Sequence, residues 1–331
     1  MMNKLATYLL GLTMLFSTLG AVATTLPDVI LLDKDGKPIK DYVRRRRPRP
    51  DEEGVNPRLL KLLHSNDSLY GKPIDDIIMS YARGFIGTPY VAKTLDQQPQ
   101  DEELVVNIEG VDCTTFVEYV LALSLTAKDH SDIYSQFANF LRRLRYDNGE
   151  IGYVTRNHYF SSWIINNDWV VTELTGLPKD KRGAYYPYTA KQVLKINYMT
   201  THQSQYPQLK IHPDFVGKIR EDEKQLTGLE VRYIPKSHVG QSRQQLDIRD
   251  GDIIAIVTNK KGLDTSHIGF AAWGSDGKLH LLNASSVHKK VVLEPMTLYE
   301  YMSKHPSQIG IRVLRVSDHI RKDHRQPNQR K

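Results

Sequence analysis

The sequence predicts an α+β fold, with helices packed on an antiparallel sheet. Two observations carry this. Helical spacing dominates the first half of the 331-residue chain, and strand patterning dominates from residue 250 onward. A hairpin signal, Gly274-Ser275-Asp276-Gly277, joins two of those strands and makes them antiparallel neighbours.

The elements follow in order. Met1-Met2-Asn3-Lys4 is a positive start, residues 5–19 are apolar, and Ala21-Val22-Ala23 fits a small-residue cleavage site. Residues 1–23 therefore read as a secretory signal, and the mature protein is expected to be exported to a periplasm. An uncleaved anchor is the alternative, but Thr7, Thr13 and Ser17 interrupt the apolar run, and a span needs about 20 such residues. Residues 24–54 read as an extended basic arm, in which Val29-Ile30-Leu31-Leu32 can add an edge strand. A catalytic domain is expected over 55–316, with an insertion at about 151–245, and a basic tail over 317–331.

Within the domain, helices are expected at 56–65 and 74–85, the second broken by Gly87-Thr88-Pro89. Residues 104–108 read as a short strand. Asp112 can cap a helix over 113–127, where Phe116, Val117, Val120, Leu121, Ser124 and Leu125 mark a buried face. A further amphipathic helix covers 131–144. The insertion reads as loop-rich and aromatic, with Tyr153, Tyr159, Phe160, Trp163, Trp169, Tyr185, Tyr186 and Tyr188. Strands then follow at 253–257, 267–273, 278–284, 291–293 and 309–316, with a short helix at 297–303.

A composition of 40% hydrophobic and 25% charged residues is that of an ordinary globular protein. The net charge of +7 is concentrated in the tail and in the run Arg44, Arg45, Arg46, Arg47. In an exported chain these runs suit an anionic envelope surface better than nucleic acid. No His-Glu-x-x-His, cysteine pair, phosphate-binding glycine loop or Gly-x-Ser-x-Gly elbow occurs, so neither metal nor cofactor is expected.

The chain has a single cysteine, Cys113, at the predicted start of a helix. It cannot form an internal disulfide, so it is buried and inert, paired with another molecule, or reactive. Backbone N–H groups and the macrodipole at a helix start favour a thiolate, which predicts a lowered thiol pKa. A thiol nucleophile needs a base and a group that orients the base. Of twelve histidines, His267 is best placed, opening a strand within Thr265-Ser266-His267-Ile268-Gly269-Phe270, where Gly269 permits close packing. Pairing about the hairpin turn brings Leu281, Leu282 and Asn283 toward it. Asn283, a polar amide in an apolar strand, suits an imidazole N–H. His280 is the rival and faces the other side.

These residues resemble the NlpC/P60 superfamily of papain-like cell-wall hydrolases, and more closely the DUF1460 family of N-acetylmuramoyl-L-alanine amidases. The likeness rests on four stretches in order. They are Gly87-Thr88-Pro89-Tyr90, then 111–118 with Asp112-Cys113, then Arg156-Asn157-His158 through Ile164, then Ser266-His267-Ile268-Gly269-Phe270. The resemblance implies Cys113 as nucleophile, His267 as base and Asn283 as third polar residue, where many members carry histidine. It implies a muropeptide substrate, cut between N-acetylmuramic acid, favoured in its anhydro form, and L-alanine. Tyr90, Asp112, Arg156 and His158 become substrate-binding candidates. Against these stand a core aromatic, a helix cap, a structural ion pair and a satisfied histidine. A D-glutamyl–diaminopimelate endopeptidase, acyl transfer to an amine and a non-catalytic envelope binder remain as other readings.

Overall fold

A computed structural model describes residues 52–96, 102–131, 133–176 and 189–318. The signal segment, the arginine run at 44–47, Tyr185, Tyr186, Tyr188 and the tail beyond Asp318 lie outside the described residues. Four helices come first: α1 (Pro57–His64), α2 (Ile74–Gly84), α3 (Cys113–Lys128) and α4 (Tyr134–Arg145). Then come α5 (Phe160–Asn166), β1 (Val171–Glu173), β2 (Ala190–Val193), α6 (Tyr198–Thr201), α7 (Pro207–Ile211) and α8 (Pro213–Leu226). The chain ends in β3 (Glu230–Pro235), α9 (Arg243–Leu246), β4 (Ile253–Thr258), β5 (Thr265–Trp273), β6 (Leu279–Ser285), β7 (Lys290–Leu293), α10 (Leu298–Ser303) and β8 (Gln308–Val316). Among the described residues, no helix is long and apolar enough to cross a membrane.

All the strands join one antiparallel sheet in the order β2-β3-β8-β4-β5-β6-β7, with β1 also pairing β8. Alternation divides its side chains between two cores. Ile253, Ala255, Ile268, Phe270, Leu282, Ala284 and Leu314 face α1 to α4. Ile254, Ile256, Ala271, Leu281, Ile311 and Val313 face α9 and α10. Helix α3 is buried on every side from Thr115 to Ala127, held between the other helices and the sheet. Phe116 locks it there, edge-on to Phe85 at 5.9 Å and to Phe270 at 5.6 Å. The mixed α+β architecture is thus as the sequence predicts.

Two expectations need correction. Residues 104–108 form no strand. Their backbone bonds go to side chains instead. The Arg145 guanidinium donates to the Val105 carbonyl at 2.7 Å, and the Tyr119 hydroxyl accepts from the Asn107 N–H at 2.9 Å. Nor are the described residues of 151–245 loop alone. They supply β1, β2 and β3 to the sheet and build a small core of their own from Tyr159, Leu194, Ile196, Leu209, Ile219 and Val231. Their apolar residues are spread over elements mostly of three to seven residues, too short for a periodic signal to stand out.

Candidate active site

Helix α3 begins at Cys113 because Asp112 caps it. The Asp112 carboxylate accepts the Thr115 N–H at 2.9 Å and the Thr115 hydroxyl at 2.9 Å, and the Thr115 hydroxyl in turn accepts the Asp112 N–H at 3.0 Å. Thr94 donates to the second carboxylate oxygen at 2.9 Å. The thiol is half-buried at the helix start, beside the Ile268 N–H of β5. Burial pushes it up to about 12, and the Asp112 charge adds to this. Hydrogen bonds from Ile268 and Thr114 oppose the rise without overcoming it. The rise runs against the lowered thiol pKa expected from the helix start, and its causes are desolvation first and then the cap carboxylate.

His267 and Asn283 meet across the β5–β6 hairpin. Phe270 pairs with Leu282, and the same register brings Asn283 opposite Gly269. A Cβ at Gly269 would lie 2.9 Å from the Asn283 Cβ and 2.8 Å from the Leu282 carbonyl oxygen, so the approach requires glycine. His267 Nε2 lies 2.8 Å from Asn283 Oδ1, and Asn283 Nδ2 donates to the Leu281 carbonyl at 3.3 Å. The second bond fixes the amide orientation. Oδ1 is then the acceptor and Nε2 carries the proton, which leaves Nδ1 with a lone pair. Asn283 is fully buried. Burial lowers the His267 pKa; the Asn283 bond and the Glu294 charge work against that.

Cys113, His267 and His158 line one cavity of about 190 Å³. Trp163, Phe160 and Asp264 close parts of its wall. The Asp264 carboxylate is spent on backbone, accepting the Ser161 N–H at 2.6 Å and the Thr265 N–H at 2.7 Å. His158 Nε2 donates to the Tyr153 carbonyl at 2.6 Å, and burial drives its pKa down to about 3, so it is a neutral imidazole. Tyr90 lies near Cys113 and Asp112. Burial first, then those two charges, push its phenol up to about 12, so it stays a hydroxyl.

Arg156 is turned away from this cavity. It pairs with Asp96 and with Glu102 (3.2 Å) and donates to the Leu95 carbonyl at 2.9 Å. It thereby holds the segment between α2 and α3. Asn157, Trp163 and Asp264 line the cavity without having been singled out as site residues. Asn157 and Trp163 sit in the same motif as His158, and Asp264 lies three residues before His267, so adjacency was the available signal.

With this geometry in view, comparison with known proteins assigns the family. The model of the AmiA-like, N-acetylmuramoyl-L-alanine amidase-like family matches residues 80–311. The chain belongs to this family. The match spans Cys113, His267 and Asn283 and the four motifs. An N-acetylmuramoyl-L-alanine amidase from Bacteroides uniformis is 39% identical, with a TM-score of 0.66 over 74% of this chain and 99% of its own. A Bacteroides fragilis protein provisionally named a xylanase is 42% identical, with a TM-score of 0.64 over 72% of this chain and 99% of its own. A Legionella pneumophila protein of the DUF1460 family is 25% identical, with a TM-score of 0.59 over 80% of this chain and 95% of its own. No curated protein matches the chain.

Proposed function

We propose that this AmiA-like protein is a thiol-dependent N-acetylmuramoyl-L-alanine amidase of the exported, NlpC/P60-type class, acting on muropeptides of the anhydro form in the periplasm. The observation that carries the reading is one cavity holding a thiol at a helix start and an imidazole whose Nε2 is bound to a buried amide. Family membership and the amidase from Bacteroides uniformis support the bond and the peptidoglycan-derived substrate.

The chemistry follows from the resting state. Burial alone disfavours both the thiolate and the imidazolium. The charged forms therefore arise together, as the Cys113 proton passes to His267 Nδ1 while sulfur attacks the lactyl carbonyl. The carbonyl electron pair moves to oxygen beside the start of α3, where the helix dipole favours negative charge. The C–N bond then breaks, and the imidazolium returns its proton to the L-alanine amine. Water, deprotonated by His267, attacks the thioester, the C–S bond breaks, and the imidazolium returns the proton to the Cys113 sulfur. Asn283 keeps the ring in the tautomer this requires. Tyr90, His158 and the cap residue Asp112 bind the peptide or sugar around Cys113, and Arg156 supports the wall behind them.

The xylanase name attached to one relative does not fit this cavity. A glycosidase needs two working carboxylates. Among the described lining residues there is one, Asp264, and backbone N–H groups occupy both its oxygens. The test is mass spectrometry of products from anhydro-muropeptides with the protein and with Cys113→Ala. Intact sugar plus peptide beginning at L-alanine, lost in the variant, is expected. Cleavage after D-glutamate would instead identify an endopeptidase, and products unchanged by the variant would overturn the thiol mechanism.

A further inference from the structure

Glu294 follows β7 and is 1% exposed, yet only half of its carboxylate is engaged. Oε1 lies 2.8 Å from His288 Nε2, whereas Oε2 is buried without a hydrogen-bond partner. A buried carboxylate oxygen is normally satisfied, so an unpaired one asks for a reason.

Strand register supplies it. Asn283 pairs with Val292 across β6 and β7, and the Glu294 N–H continues that pairing to the Leu281 carbonyl at 2.8 Å. Alternation then puts Leu281, Asn283, Val292 and Glu294 on one face. His267 lies on that same face, as its bond to Asn283 shows. The groups around His267 are Asn283 on β6, Glu294 after β7, Tyr301 on α10 with ring centroids 6.4 Å apart, His305 beyond α10, and Cys113 on α3. Glu294 is the only carboxylate acting on the ring among them, and its charge opposes both burial and His305.

We propose that Glu294 is a positioning residue, a buried carboxylate behind the His267–Asn283 pair that stabilises the imidazolium formed when Cys113 attacks. The inference rests on the thiol mechanism proposed above. The proton still moves from sulfur to Nδ1 and on to the leaving amine. Glu294 takes no proton and touches no substrate, and its unpaired oxygen supplies compensating charge.

The test is the pH dependence of anhydro-muropeptide turnover in full-length protein, Glu294→Gln, Glu294→Asp, His288→Gln and Cys113→Ala. Glu294→Gln should lower kcat about tenfold with KM unchanged, and shift the acid limb of kcat/KM to lower pH by about one pH unit. Glu294→Asp should shift the limb in the same direction by less, and it serves alone if the glutamine variant does not fold. His288→Gln keeps the carboxylate and should leave the limb in place. An unmoved limb in the Glu294 variants, or the same response in His288→Gln, reduces Glu294 to an anchor for its loop and overturns the proposal. Turnover surviving in Cys113→Ala overturns the thiol mechanism, and this proposal with it.

Discussion

At Cys113 the helix start and the burial act in opposite directions, and burial wins. The place of Cys113 was legible because a lone cysteine after Asp112 at a helix start is a local pattern. Its acidity was not, because that depends on Ile268 and on the packing of β5, which lie far off in sequence. The same holds for His158. Its motif drew attention, but only the Tyr153 carbonyl and the dense surroundings show that it is held neutral. A pH effect follows. The unfolded imidazole binds a proton below about 6.5, whereas folded His158 resists until about 3. The folded state thus binds fewer protons in that window, and stability falls as pH drops through it. His267 adds in the same direction. Urea midpoints measured from pH 7 down to pH 4 should fall less steeply in His158→Gln than in the parent protein. Parallel slopes would remove His158 as a cause.

Among the elements, the β5–β6 hairpin was the most legible. A turn of glycine, serine and aspartate between alternating apolar runs fixes the register, and register alone brings Asn283 to the His267 side. Residues 104–108 read as a strand because Leu104, Val105, Val106 and Ile108 make a short, mostly branched apolar run, while their partners are side chains of α3 and α4. Gly269 links hairpin packing to chemistry. Its replacement by alanine drives a methyl into the Leu282 carbonyl and the Asn283 side chain, at 2.8 and 2.9 Å. Overpacking of this kind costs about 1–3 kcal/mol. Relief by pushing Asn283 away would also break its bond to His267. Gly269→Ala is expected to unfold at lower urea and to lose turnover beyond its loss of folded protein. Wild-type turnover per folded molecule would show that the strands part without disturbing the pair.

Across the molecule, the candidate site sits where α3, led by Cys113, meets the start of β5, and its rigidity depends on what anchors α3 below. That anchor is a buried ion pair. Glu118, one turn beyond Thr114, accepts from Arg145 of α4 at 2.7 Å, with side chains 2% and 1% exposed. Arg145 also holds the Val105 carbonyl, so one guanidinium ties two helices to the segment that precedes Cys113. Nothing local in the sequence signals this, since Glu118 reads as a charge on one helix and Arg145 as a charge just past the end of another. Glu118→Gln keeps the shape but leaves the guanidinium without its counter-charge. One arginine nitrogen, Nη2, already lacks a partner. Breaking a buried pair from one side costs about 3–5 kcal/mol. Urea denaturation should show a loss of that order. The double variant Glu118→Gln with Arg145→Met removes the stranded charge and should recover much of it. A Glu118→Gln midpoint within error of the parent would mean that water reaches Arg145, and that α3 is held by its apolar contacts alone.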